Sequence, residues 1–113
     1  MEKFILAACS YYKKTYFFNF EEFADLSYGI QQELQKIATS ATEQICGEVI
    51  IGIYSNGQAY IEARGADDDY DYDEIGAKYF INDLIREQEE LLEQLSVWYL
   101  FTRANEMGRI SCC

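Results

Sequence analysis

Two apolar segments near the start of the chain predict a β-hairpin. Residues 4–9 are apolar, and residues 15–18 are β-branched or aromatic, which is the composition typical of strands. Residues 10–14 lie between them, so we expect two strands joined as a hairpin. Residues 19–23 are expected to leave the sheet as a turn, with Phe20 and Phe23 tucked under the helix that follows.

An amphipathic pattern then predicts the first helix. Apolar side chains recur at the spacing of one helical stripe; they are Ile30, Leu34, Ile37, Ala38, Ala41 and Ile45. Asp25 or Ser27 can cap the N-terminus by accepting hydrogen bonds from its free N–H groups. We expect Gly47 to supply the left-handed residue that ends the helix.

A second hairpin is predicted around Asn56-Gly57, the pair favoured in type I′ turns, which need positive φ at both positions. A two-residue turn there pairs residues whose numbers add up to 113. One face of this hairpin, expected to meet the helices, carries Ile50, Gly52 and Tyr54. The opposite face carries Val49, Ile51 and Ile53. Three β-branched residues are too apolar for a face in water, so we expect a cover over them.

Residues 75–102 predict one long helix, with Asp71 or Asp73 as its N-cap. Its apolar stripe consists of Ile81, Leu84, Ile85, Gln88, Leu91, Leu92, Leu95, Trp98 and Tyr99. Such a helix is about 42 Å long, whereas a compact domain of this size is only ~35 Å across. One end is therefore expected to project or to pack on something else.

The element order β-β-α-β-β-α predicts a single α+β domain over residues 1–113, with residues 103–113 as a frayed tail. In this two-layer fold a four-stranded, mainly antiparallel sheet carries two helices on one face. The sequence leaves open whether the first or the second strand is central.

Composition excludes several kinds of active site. The chain has no histidine, and nine Lys/Arg oppose twenty Asp/Glu, for a net charge of −11. Nucleophile arrangements that need histidine are impossible, and neither a Gly-rich phosphate loop nor a GxSxG turn is present. The charge also disfavours direct nucleic-acid binding. We therefore expect a protein that is not an enzyme and holds no cofactor.

The cysteines and the hydropathy pattern bear on the compartment. Cysteines 9, 46, 112 and 113 show no CxxC and no zinc-type spacing, which is typical of reduced thiols in a cytoplasmic protein. No apolar run approaches the ~20 residues of a membrane span. We expect a cytoplasmic protein that does not enter the membrane, and the pair Cys112-Cys113 has no interpretation.

An acidic run offers the main candidate for ligand chemistry. Six acids lie within residues 67–74, interrupted by Tyr70 and Tyr72. The run lacks the Gly and Glu that an EF-hand calcium loop needs at its sixth and twelfth positions. The candidate ligands for a divalent metal are Asp67, Asp69, Asp71 and Asp73. A small-molecule or metal-binding domain, a nucleic-acid mimic and a solvated loop that caps the next helix remain alternatives.

Two apolar surfaces, one on the second hairpin and one on the long helix, favour a homodimer. The expected interface residues are Val49, Ile51, Ile53, Leu91, Leu95 and Trp98. Left in water they would form a patch larger than monomers usually expose, and an isologous dimer would bury it. Trp98 is the expected anchor. The favoured function is thus a non-catalytic, acidic module that self-associates and presents an acidic surface to an unidentified protein partner.

Several segments, taken in order, resemble an uncharacterised family of small acidic bacterial proteins. They are residues 4–10 (FILAACS), 14–19 (KTYFFN) and 29–34 (GIQQEL), the hairpin that begins at Gly47, and residues 73–76 (DEIG). The resemblance extends from residue 4 to about residue 101. Because that family is a domain of unknown function, it implies a single-domain cytoplasmic bacterial protein and supplies no catalytic residue.

Overall fold

A computed structural model describes residues 2–65 and 73–106, with side chains as far as Thr102. Within these ranges the chain forms four strands and four helices. They are β1 (Lys3–Ser10), β2 (Thr15–Phe18), α1 (Phe20–Phe23), α2 (Tyr28–Ile45), β3 (Glu48–Tyr54), β4 (Ala59–Arg64), α3 (Glu74–Glu87) and α4 (Glu89–Glu106). The predicted α+β class is confirmed, but four helices replace the two expected, because α1 forms in place of a turn and the long helix divides.

The strands form one sheet in the order β2-β1-β3-β4. All three neighbouring pairs are antiparallel. The first strand is therefore central beside β3, and β2 and β4 are the edges. The helices are packed against the sheet around one core, whose fully buried side chains include Leu6, Phe23, Leu34, Ile51 and Leu95.

The predicted turn between β3 and β4 is wrong by one residue. The N–H of Tyr54 donates to the Gln58 carbonyl at 2.8 Å, and the N–H of Gly57 donates to the Tyr54 carbonyl at 2.8 Å. Gly57 has a φ of 96°, whereas Asn56 is not among the described residues with positive φ. A three-residue loop with one left-handed glycine has this geometry, and a type I′ turn does not.

This turn shifts the register, so that Val49 pairs with Ala63 and Ile51 with Ile61. A shift of one residue changes which side chains share a face. Val49, Ile51 and Ile53 are no more than 1% exposed and lie in the core shared with the helices. The expectation that they lie on the face opposite the helices is wrong, because the chain's own helices cover them.

The α2 helix begins as predicted and ends one residue early. Ser27 caps it, since its Oγ accepts a hydrogen bond from the Ile30 N–H at 3.3 Å. The left-handed residue at the C-terminus is Cys46, with a φ of 55°, and not Gly47. Gly47 directly precedes β3, and its carbonyl accepts a hydrogen bond from the N–H of Tyr11 at 3.0 Å.

The short α1 helix follows the end of β2. Asn19 caps it by accepting from the Glu22 N–H, and its side-chain amide donates to the Ile5 carbonyl at 3.1 Å. Phe23 is buried as expected, but Phe20 is 62% exposed. Phe20 lies beside the edge strand, where its ring meets Phe18 edge-on with centroids 4.9 Å apart. Its predicted place under the helix is therefore wrong.

The predicted long helix is divided at Gln88, which has a φ of −102° and a ψ of 20°. Hydrogen bonds still link the two parts, from the Gln88 N–H to Leu84 and from the Leu92 N–H to Gln88, both 2.9 Å long. A straight helix over α3 and α4 would span about 50 Å, whereas an eight-residue strand spans about 26 Å. Both α3 and α4 contact β4.

Candidate functional site

A central segment of α4, residues 97–101, is apolar on every side. Residues 97–101 read Val-Trp-Tyr-Leu-Phe, so no position in this turn and a half of helix offers a charged side chain to water. A helix that is apolar all round is normally buried. In this chain only one side of α4 is covered by the core, which makes the other side the candidate functional site.

The covered side of α4 is held by packing and by one hydroxyl. Leu95 is 0% exposed, and the ring of Trp98 lies 6.0 Å from that of Phe23. The Ser96 hydroxyl donates to the Leu92 carbonyl at 3.1 Å and accepts from the Ala59 N–H at 3.3 Å. This second bond satisfies a backbone donor of the edge strand β4 and joins α4 to the sheet.

The other side of α4 forms a shallow groove of about 460 Å³, which we call the α4 outer surface. Its lining residues are Glu90, Glu93, Gln94, Val97, Trp98 and Phe101. Val97 is 60% exposed and Phe101 is 72% exposed. Glu90 and Glu93 are exposed at one end of the groove. The surface is thus an apolar patch with a carboxylate rim.

The six predicted interface residues differ in how deeply the structure buries them. Val49, Ile51, Ile53 and Leu95 are buried, and Leu91 is half-buried against the core. Trp98 is half-buried and belongs both to the core and to the α4 outer surface. Sequence reasoning missed Val97, because it followed a single stripe. The signal that could have found it is the lack of any polar side in residues 97–101.

The acidic run falls largely outside the described residues. Asp67, Asp69 and Asp71 lie there, as do Tyr70 and Tyr72. Asp73 is described and is the N-cap of α3, since its Oδ1 accepts from the Gly76 N–H at 3.0 Å. Across residues 2–65 and 73–106, no group of three or more Cys, Asp or Glu side chains is arranged to hold a metal ion.

Comparison with known proteins agrees with the resemblance seen in the sequence. The profile of a family of unknown function, DUF6145, matches residues 3–107. The chain belongs to this family. No curated protein matches the chain, and no solved structure matches it.

The family description assigns no biochemical role to this DUF6145 member. No helix in the described ranges has both the length and the apolar character that crossing a membrane requires. Cys9 is buried and Cys46 is exposed, and both are free thiols. Cys112 and Cys113 lie outside the described residues.

One buried polar group in this family member has no partner among the described residues. The Tyr16 hydroxyl is buried and forms no hydrogen bond there. Burial, and to a smaller extent the neighbouring Cys9, raises the pKa of Tyr16 to about 12. Leaving a buried hydroxyl unpaired costs about 1–3 kcal/mol.

We therefore expect two results at Tyr16. Substitution Tyr16→Phe should raise the free energy of unfolding at neutral pH by about 1 kcal/mol, because it removes the unpaired hydroxyl. In the wild type, the raised pKa of Tyr16 stabilises the folded state at pH values below ~10. This contribution is lost as the pH rises through about 12. Ultraviolet titration of phenolate formation should show one tyrosine ionising near this pH, and that step should be absent from Tyr16→Phe. A titration unchanged by the substitution would contradict the assignment.

Proposed function

We propose that the protein is a non-catalytic protein-interaction module, which self-associates as a homodimer and binds a protein partner through the α4 outer surface. The observation that carries the proposal is the apolar second side of α4, where Val97 and Phe101 are mostly exposed. Exposed patches of this kind mark interaction sites more often than isolated apolar residues do.

The carboxylates at the rim indicate the chemistry of the partner. Glu90 and Glu93 line the groove, and Glu89 precedes them on the same helix. A second copy docked here in parallel would bring the same acids against them, in a chain whose net charge is already −11. A helix that is apolar on one face and carries Lys or Arg beside that face matches both parts of the surface.

Fluorescence offers a direct test, because Trp98 is the single tryptophan of the chain and lines the groove. The probes are two synthetic amphipathic helices with the same leucine face, one with lysines and one with glutamates on the polar face. We expect the lysine peptide to change Trp98 emission in a saturable manner and the glutamate peptide to have no effect. The affinity should fall as salt is added, because salt screens the rim carboxylates.

Matched variants locate the binding. Phe101→Ser should weaken lysine-peptide binding by about tenfold or more, because exposed aromatics dominate such interfaces. Glu90→Gln with Glu93→Gln should weaken binding and reduce its salt dependence. The control pair Glu33→Gln with Glu43→Gln removes the same charge from the exposed side of α2 and should change neither. Equal binding of both peptides, or equal effects of the two double variants, would rule out the proposed surface.

A further inference from the structure

We infer that the homodimer forms through β2, which pairs antiparallel with β2 of a second copy to make one continuous eight-stranded sheet. This inference rests on the self-association in the proposed function and names its surface. It differs from the interface expected from the sequence, and it leaves the α4 outer surface free for the other partner.

The outer edge of β2 is open. Within the described residues β1 is the only strand paired with β2. The N–H of Asn19 donates to the Leu6 carbonyl at 2.9 Å, and hydrogen-bonded pairs alternate along an antiparallel ladder. Thr15 and Phe17 therefore bond to β1, while Tyr16 and Phe18 direct their backbone N–H and C=O groups away from it. A strand edge in this state is a template for a further strand.

The pattern of β2 selects one register for self-pairing. Two copies whose sheets share the same faces must place residues of the same face opposite each other. A twofold axis at Phe17 achieves this, because it sets Phe17 against Phe17 and Tyr16 against Phe18. The pair formed by Tyr16 and Phe18 can then exchange both of its outward hydrogen bonds. Phe17, which is 53% exposed in one chain, gains an aromatic neighbour in the close, non-hydrogen-bonded pair.

The charges at the two ends of β2 are complementary under this axis. Lys13 and Lys14 precede the strand, and Glu21 and Glu22 follow it, all four exposed. Antiparallel pairing about Phe17 brings the lysine end of each copy towards the glutamate end of the other. A parallel arrangement would instead set like charges together. An isologous dimer contains this lysine–glutamate contact twice, so one substitution changes the interaction energy at both contacts.

A groove beside β2 leaves space for the second copy. It has a volume of about 240 Å³ and is lined by Tyr16, Phe18 and Phe20 on the strand side. Its helix side is lined by Tyr28, Gln31, Gln32 and Gln35. Because no carboxylate lines this groove, the negative charge of the chain opposes association less here than at α4.

The test measures the oligomeric state of the full chain by light scattering and sedimentation between about 1 and 100 μM. The wild type should reach twice the mass of one chain. Phe17→Lys should give a monomer over the same range, because it places two like charges face to face at the axis. Phe17→Thr, which puts an uncharged, β-branched residue suited to strands at this exposed position, should weaken the dimer less. Circular dichroism of each variant checks that the monomer is still folded.

A charge exchange makes the test specific to this register. Lys13→Glu and Glu21→Lys should each weaken the dimer by about tenfold, and the double variant should return to within about threefold of the wild type. The double variant has the same net charge as the wild type, so its recovery cannot come from total charge. The described salt bridges join Lys3 to Glu62 and Arg86 to Asp83, and so do not involve either position.

Each unfavourable experimental result would overturn a different part of the proposal. A wild type that stays monomeric would overturn this inference and the proposed self-association together, without touching peptide binding at α4. A dimer that withstands the β2 variants but dissociates in Phe101→Ser would overturn the β2 inference alone. A double variant that does not recover would overturn the register. If the inference holds, Phe17→Lys should still bind the lysine peptide.

Discussion

Replacing Gly52 with alanine is expected to lower the free energy of unfolding by about 3 kcal/mol. A Cβ at this position would lie 2.5 Å from the carbonyl oxygen of Phe4. It would also clash with the Tyr60 hydroxyl, because the Tyr60 side chain crosses Gly52. A tyrosine side chain can move, but the Phe4 carbonyl belongs to the central strand β1, so relief requires a shift of the sheet backbone.

The matched control for this substitution is Gly29→Ala. Apart from the neighbouring residues and the helix's own backbone, no atom lies within 4 Å of the position that a Cβ would take at Gly29, and the residue is the second of α2. Alanine there should leave stability unchanged or raise it by up to about 1 kcal/mol, because it favours the helix. Urea unfolding followed by circular dichroism measures both. Adding Tyr60→Phe to Gly52→Ala should not restore stability, and equal midpoints for Gly52→Ala and the wild type would contradict the close contact.

The second large effect is expected at Leu95. Its side chain is 0% exposed, so Leu95→Ala should cost about 3 kcal/mol through lost burial and the cavity that remains. Val97→Ala, two residues away on the same helix, should change stability by less than about 0.5 kcal/mol, because Val97 is 60% exposed. Urea unfolding at one protein concentration compares the two. Similar losses would mean that α4 is not oriented as described.

Lysine-peptide affinity should depend on Val97 and not on Leu95, which is the reverse of their expected effects on stability. Because Val97 lines the α4 outer surface, Val97→Ala should weaken lysine-peptide binding while the fold stays intact. Leu95→Ala should lower stability and leave the affinity of the remaining folded protein nearly unchanged. A charged residue at Leu95 would therefore test folding and could not test an interface, which corrects the role that the sequence assigned to it.

Local patterns in the sequence predict the strands and helices well. The bounds of β1 and β2 follow from apolar and aromatic runs, and the stripe of α2 is confirmed by its buried residues Leu34, Ala38, Ala41 and Ile45. The Ser27 cap is likewise a local feature, since it needs only one hydroxyl next to the free N–H groups of the same helix. In each case the residues that decide the structure are near each other in the chain.

The candidate site was predicted only in part. The sequence pointed to the second half of the long helix and to Trp98, but it could not tell which of several apolar sides would meet the core. That choice depends on where the sheet lies and on the backbone conformation of Gln88, at which α3 ends. The same limit applies to β2, whose sequence predicts a strand but does not show that its outer edge is unpaired.

The sequence by itself determined the α+β class, the order of the strands along the chain, an α2 cap at Asp25 or Ser27, and the absence of histidine chemistry. Only the tertiary structure decided that β1 is central, that Val49, Ile51 and Ile53 face the helices, and that Val97 and Phe101 lie outside. The β3–β4 register shows the physical reason. A turn with one left-handed residue differs from a turn with two by one residue in length, and that single residue moves every side chain of the hairpin to a different partner. Which turn forms is decided by how the two strand faces pack against the rest of the chain, and no local pattern contains that information.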